Sequence, residues 1–283
     1  MAERRRDVTG RDVTGRDVTG RDVTGRDVTG RKAAERGAAA GESVEPDAAG
    51  AAGAVGAAKE TAKETAKGAA AGREAAAWLE LVEAARRTVA DGLVVGTSGN
   101  VSVRVGDLVL VTPTGVPYDR LTPGDAVGVD LTGRQVLGGL KPTSELPMHL
   151  AVYRETPARA VIHTHAVHAT AVSTLVPELP LIHYMAAALG GPVRVAPYAL
   201  YGSAELAEHL LTALRGRTGC LLRNHGTVTY GDTLDQAYDR TAQLEWMCRL
   251  WLTASALPGR EPALLTTEEL GEVTEKLRGY GQR

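Results

Sequence analysis

Apolar positions along the chain fall into two regimes that meet near residue 73. Before that point no periodic stripe appears. Residues 6–30 are five perfect copies of Arg-Asp-Val-Thr-Gly, each with one Val and one Gly. Such units hold too little apolar surface for a core, and their period is far shorter than the roughly 20 residues or more of solenoid repeats. The stretch on to about Gly72 is Ala, Gly, Glu and Lys, with Lys-Glu-Thr-Ala occurring twice over 59–66. Its composition favours helix but offers no face to pack. Residues 1–73 are therefore expected to be a disordered low-complexity extension, and 74–283 the folded domain.

Beyond residue 73 the pattern changes. Leu79, Val82, Ala85, Val89 and Leu93 form a helical stripe closed by Asp91-Gly92. Val101, Val103 and Val105 alternate with polar residues as in a half-buried strand, and Gly106-Asp107 predicts a hairpin into 108–111. A loop over 112–121 leads to a short strand at 126–131 and a helix at 145–154. The apolar run Ala160-Val161-Ile162 predicts a strand that delivers His163 and His165. A helix of small residues follows from Ala166, then strands at 193–196 and 219–222 and helices at 203–215, 234–256 and 267–278. Helix and strand mix without a regular βαβ repeat, which is α/β in the broad sense.

Composition removes several function classes. A net charge of −2 argues against a nucleic-acid binder driven by phosphate contacts. Cys220 and Cys248 are too few and too far apart for a cysteine metal site or a disulfide framework. There is no 18-residue apolar run and no signal-peptide core, so a cytoplasmic protein without a membrane partner is expected. No Phe occurs, which leaves large core positions to Leu, Val, Ile, Tyr and three Trp.

The candidate chemistry begins at His163 and His165. Two apart on a strand, their imidazoles would share one face and suit a divalent metal. Alone, the pair reads equally as ligands or as solvated residues at a strand end. His225, in RNHGTV after the strand at 219–222, supplies a third imidazole, and Gly226 behind it permits a close backbone approach. Three protein ligands with an open position is the layout of a catalytic metal site. Glu145 stands at a helix start, where the helix dipole alone would favour an acid. Ser98-Gly99-Asn100, Thr112 to Gly115 and Thr143-Ser144 offer hydroxyls and free N–H groups that suit an anion without Lys or Arg. Neither G-x-G-x-x-G nor a P-loop is present, so nucleotide binding is not supported.

Taken in order, GTSGNVSVR, TPTGVPY, SELPMH, HTHAVHATAVS, IHYMAAALGG, APYALYG and NHG resemble the class II aldolase/adducin family. The resemblance runs from about Trp78 to Tyr280-Gly281 and is closest to the family's aldolases of L-fuculose 1-phosphate. It implies an α/β, three-layer domain with a central, largely antiparallel mixed sheet flanked by helices. It also implies a class II aldehyde-lyase that reversibly splits a ketose 1-phosphate into dihydroxyacetone phosphate and a short aldehyde of the lactaldehyde type. One Zn2+ per subunit would be held by Glu145, His163, His165 and His225, a ligand set that also accepts other divalent metals. The sugar phosphate would sit on Gly99, Asn100, Thr114, Gly115, Thr143 and Ser144, with Thr143 where the family has Ser. Glu145 would double as acid/base. Tyr184 from a neighbouring subunit and Tyr280 from the tail complete the implied catalytic set, in a homotetramer with sites between subunits. His168 and His183 are expected to pack or hydrogen-bond rather than ligate.

Other activities share this fold. Aldolases of 5-deoxyribulose or methylthioribulose 1-phosphate fit the same motifs. L-ribulose-5-phosphate 4-epimerase resembles Ser-Asp where this chain has Ser144-Glu145, and methylthioribulose-1-phosphate dehydratase would cleave no C–C bond. An adducin-like module that has lost its metal is disfavoured because all four ligand positions are intact.

Overall fold

The computed structural model describes residues 48–279, with side chains from residue 63 onward. The chain divides into units 1–52 and 53–283, and every strand belongs to the second. The RDVTG repeats and Tyr280 lie outside the described residues.

The described elements are α1 (Ala48–Ala90), β1 (Asn100–Val105), β2 (Leu108–Val111), β3 (Gly128–Asp130), β4 (Gln135–Leu137), α2 (Leu146–Glu155), β5 (Ala160–Thr164), α3 (Val167–Leu175), β6 (Glu178–Leu179), β7 (Val193–Ala196), α4 (Ala204–Leu214), β8 (Gly219–Leu222), β9 (Gly226–Gly231), α5 (Leu234–Ser255) and α6 (Thr267–Leu277). The strands form one sheet in the order β4-β3-β2-β1-β5-β9-β8-β7-β6. Every neighbouring pair is antiparallel except β7 and β8. The mixed, largely antiparallel sheet matches the expected fold class.

Alternation along β5 assigns the two faces of the sheet. Ala160 and Ile162 join a core with Trp78 and Leu81 of α1, Val172 of α3 and Leu244 of α5. Val161 joins the opposite core, with Met148 and Val152 of α2 and Leu206 and Leu210 of α4. Helices therefore cover both faces, giving three layers.

Residues 48–73 lie within α1, a conformation that their Ala, Glu and Lys favour. One expectation about α1 needs correction: the packed face is turned by one position. Trp78, Leu81, Val82 and Ala85 are buried, whereas Leu79 is 53% and Val89 42% exposed. Trp78 decides the rotation, since its buried indole N–H donates to the Thr122 carbonyl at 2.9 Å.

Strands β4, β6 and β9 are not foreshadowed by the sequence pattern. The first two are short. β9 matters more, because it lies between β5 and β8 and runs on from the His225 turn. Gly226 begins it, and a Cβ there would lie 2.1 Å from the Thr164 carbonyl oxygen. This is the close approach the sequence suggested. The chain reversal itself uses Asn224, at φ 55°. Gly226→Ala is expected to lower unfolding free energy by at least about 2 kcal/mol, as overpacked cores do, measured by urea unfolding beside the wild-type protein.

Candidate metal centre

The site forms where β5 ends. His163 pairs with Asn100 of β1 on one side and Val228 of β9 on the other. Its side chain shares the sheet face of Val161 and so points toward α2. Glu145, the residue that caps the start of α2, meets it there, with Oε2 2.9 Å from His163 Nε2. His165 does not extend the strand. The chain leaves β5 at Thr164 to enter α3, and His165 reaches the site from that connection. His225 comes from the turn between β8 and β9.

The three imidazoles form a near-equilateral triangle. Ring centroids lie 4.9, 4.8 and 4.8 Å apart, with the planes 71–79° from one another. Ligand atoms of Glu145, His163, His165 and His225 all fall within 4.8 Å of each other. The Thr227 carbonyl accepts from His163 Nδ1 at 2.8 Å, which leaves the Nε2 lone pair facing inward. His165 Nε2 stands 3.0 Å from that atom, and two facing lone pairs repel unless a proton or a cation lies between them. Glu145 Oε1 is buried, has no hydrogen-bond partner and lies 3.3 Å from His225 Nε2.

These features fit a divalent metal. Metal–ligand lengths of about 2.0–2.1 Å put tetrahedral zinc ligands roughly 3.3 Å apart, close to the observed spacings. Protonation states agree. Burial, then the proximity of His163 and His225, lowers the His165 pKa to about 4, so its ring is a neutral donor at pH 7. Burial alone would raise the Glu145 pKa. The closeness of His163 and His225 and the hydrogen bond from the Asn100 amide outweigh it and hold the carboxyl well below the usual range.

A cavity of about 350 Å³ opens beside this cluster. Its walls include Glu145, His165 and His225 together with Gly99, Asn100, Thr114, Gly115, Thr143 and Ser144, so the structure brings the anion candidates to the candidate metal ligands. None of the residues lining it is Lys or Arg. Backbone bonds from Thr114 N to Lys141 O at 3.0 Å and from Thr143 N to Thr112 O at 3.1 Å tie two of the candidate loops together. Gly99 is required for packing, because a Cβ would meet the His163 carbonyl oxygen at 2.8 Å.

The same cavity takes in Tyr198, Tyr201 and Asn224, to which the sequence alone assigns no role. Asn224 is the single non-glycine residue with positive φ among the described residues. Tyr184 is not among the lining residues. It is 48% exposed and packs on His183, ring centroids 4.3 Å apart. His183 accepts from Met185 N, and His168 donates to Glu245 at 2.6 Å, so neither joins the cluster.

His149 is a further residue that the motifs do not single out. It sits four residues after Glu145 on α2, fully buried, bonded to Ser102 at 2.7 Å and to Asn100 at 2.5 Å. Burial, reinforced by His163, lowers its pKa from 6.5 to about 3. As pH falls below 6.5 the unfolded chain takes up this proton and the folded chain does not, so stability present above pH 6.5 is lost toward pH 3. At about 1.4 kcal/mol per unit, moving to pH 5 costs roughly 2 kcal/mol through His149. Chelator-treated wild-type protein should lose that much more stability than His149→Gln between pH 7 and pH 5, read by urea unfolding.

Comparison with known proteins agrees with this geometry. Residues 79–252 match the model of the Class II Aldolase and Adducin N-terminal domain. L-fuculose phosphate aldolase of Escherichia coli K12 is 42% identical over 206 residues, covering 72% of this chain and 95% of that protein. A Rhodospirillum rubrum 5-methylthioribulose-1-phosphate/5-deoxyribulose-1-phosphate aldolase is 39% identical over 203 residues, covering 71% and 90%. A solved L-fuculose 1-phosphate aldolase superposes with a TM-score of 0.69 at 35% identity, covering 71% of this chain and 96% of that one. The chain belongs to the class II aldolase/adducin family.

Proposed function

We propose that the chain is a zinc-dependent aldolase that reversibly cleaves a ketose 1-phosphate of the L-fuculose 1-phosphate type into dihydroxyacetone phosphate and a short aldehyde of the lactaldehyde type. The observation that carries this reading is the buried carboxylate of Glu145. It is held against three imidazoles, with one oxygen unpaired, at the wall of a polar cavity free of Lys and Arg. Glu145, His163, His165 and His225 would hold the zinc ion, which when bound would supply Lewis-acid chemistry toward the ketose carbonyl.

The chain's own groups do the rest. Gly99 and Asn100, Thr114 and Gly115, and Thr143 and Ser144 bind the phosphate through N–H groups and hydroxyls beside the start of α2. Glu145 leaves the metal position when substrate binds and then accepts a proton as the C3–C4 bond breaks, through Oε1, the oxygen without a partner in the protein. Tyr184 attends the departing aldehyde oxygen. Its absence from its own chain's cavity supports its coming from a second copy, in a homotetramer with sites between subunits. Tyr280 joins from the tail. Residues 74–283 form the catalytic domain, and residues 1–73 take no part in the chemistry. No helix among the described residues is long and apolar enough to cross a membrane, in keeping with a cytoplasmic enzyme of small sugar phosphates.

A second reading is favoured by the Rhodospirillum relative, whose named activity differs at the aldehyde end. It makes 5-deoxyribulose or methylthioribulose 1-phosphate the substrate with the same machinery. A dihydroxyacetone-phosphate release assay over the three ketose 1-phosphates decides between them, and L-ribulose 5-phosphate epimerised without cleavage would overturn both. Chelator treatment should abolish turnover and Zn2+ restore it, followed by the same assay with elemental analysis. Glu145→Gln should reduce kcat by roughly 10²–10⁴-fold while calorimetry still detects sugar-phosphate binding. Retained turnover in that variant would remove Glu145 from the acid/base role.

A further inference from the structure

A stripe of polar side chains runs through the apolar layer between the sheet and α2. Glu145, His149 and Tyr153 recur every fourth residue and so share one helix face. Asn100 and Ser102 stand two apart on β1 and share one strand face. Ser102 and His149 are fully buried, Tyr153 is 2% exposed, and Asn100 and Glu145 are 5% exposed. Met148, Val152 and Val161 surround them, so each polar atom needs a partner within the protein.

The partners form one chain of hydrogen bonds. Tyr153 Oη lies 2.8 Å from Ser102 Oγ, which lies 2.7 Å from His149 Nδ1. His149 Nε2 is 2.5 Å from Asn100 Oδ1, and Asn100 Nδ2 donates to Glu145 Oε2 at 2.9 Å. Chemistry sets the directions. A carboxylate only accepts, so the amide nitrogen of Asn100 must face Glu145. Its oxygen then faces His149, which must carry a proton on Nε2. Nδ1 accepts from Ser102, and Ser102 accepts from Tyr153. Every donor points toward Glu145.

We propose that His149 is a positioning residue of the metal centre. By holding the Asn100 amide in one orientation, it commits Glu145 Oε2 to that amide and leaves Oε1 to serve first as ligand and then as proton acceptor. Without the Nε2 donor, the amide is free to turn over and set its oxygen against the carboxylate, which then swings out of place. The inference rests on the metal-centre reading of Glu145. A network that merely stabilised the core would show no preference for which oxygen of Glu145 stays free.

Cobalt(II) titration of the whole chain, followed by visible absorption, tests this without turnover. His149→Leu removes the donor, and His149→Gln returns an N–H close to the Nε2 position. Folded His149→Leu should bind Co2+ about 10–100-fold more weakly, as changes behind a metal ligand typically do, with an altered spectrum. His149→Gln should recover to within about threefold, a rescue on the same scale. A long-range ¹H–¹⁵N correlation of the wild-type protein should find the His149 proton on Nε2. Wild-type affinity and spectrum in His149→Leu, equal impairment in His149→Gln, or a proton on Nδ1 would each overturn the proposal. If His149→Leu does not fold, Ser102→Ala decides: severalfold weaker Co2+ binding supports the proposal and unchanged binding overturns it. A wild-type chain that takes up no Co2+ is a separate result, which removes the metal-centre reading and this inference with it.

Discussion

The register of β5 between β1 and β9 is the constraint on which the site depends. Side chains alternate across a sheet, so a slip of one residue would move His163 to the face packed by α1, α3 and α5. Apolar residues on both faces prevent that slip, because Val161 must face α2 and α4 while Ala160 and Ile162 face the other core. The same pairing aligns Asn100 with His163 and sets Thr227, the neighbour of Gly226, against Thr164. The Thr227 carbonyl then accepts from His163 Nδ1. Strand pairing thus decides which sheet face receives the imidazole and which ring nitrogen is left free.

Holding the cluster together opposes folding in the absence of a cation. A buried, unpaired carboxylate oxygen is unfavourable by roughly 1–3 kcal/mol. The rigid sheet imposes the arrangement, and a bound divalent ion would relieve it. Metal binding and stability are linked in such a site, since an ion that prefers the folded state stabilises it by mass action. His149 adds a second opposing contribution, because its neutral ring is maintained at the expense of stability in acid.

Much of this is legible in the sequence, for identifiable reasons. The apolar run before His163, the glycine behind His225 and the acid at the α2 start each leave a local mark. The two-residue spacing of His163 and His165 suggests one strand face, but α3 begins at Val167 and draws the chain off the sheet after Thr164. β9 is hidden because the glycine that begins it, Gly226, reads as turn punctuation and its Thr residues as polar. The α1 stripe is misplaced by one position because Trp78, just ahead of the first aliphatic residue of the pattern, is the side chain that packs deepest. His149 does leave a signal, the four-residue spacing from Glu145 to His149 to Tyr153. A buried polar stripe resembles a solvated helix face until the strand opposite it is known.

The parts of the cavity wall differ in how firmly they are built, and on the proposed reading this bears on why phosphate contacts are easier to read than those to the aldehyde. At the phosphate contacts of the proposed reading, backbone hydrogen bonds join 112–114 to 141–143, and Gly99 packs directly on the His163 carbonyl. Few alternative side chains or conformations satisfy those contacts. Tyr198 and Tyr201, which line the same cavity, are 59% and 61% exposed. Tyr184, assigned to the departing aldehyde, is on a different part of its own surface. A cavity wall completed by a second copy is specified by how two chains meet, not by contacts inside one. Relatives at 42% and 39% identity accordingly carry names that agree on a sugar phosphate and differ in the sugar. On the proposed reading, the metal and phosphate contacts are held by a single chain's sheet and loops, whereas discrimination among aldehydes would fall to residues that a second copy would have to complete.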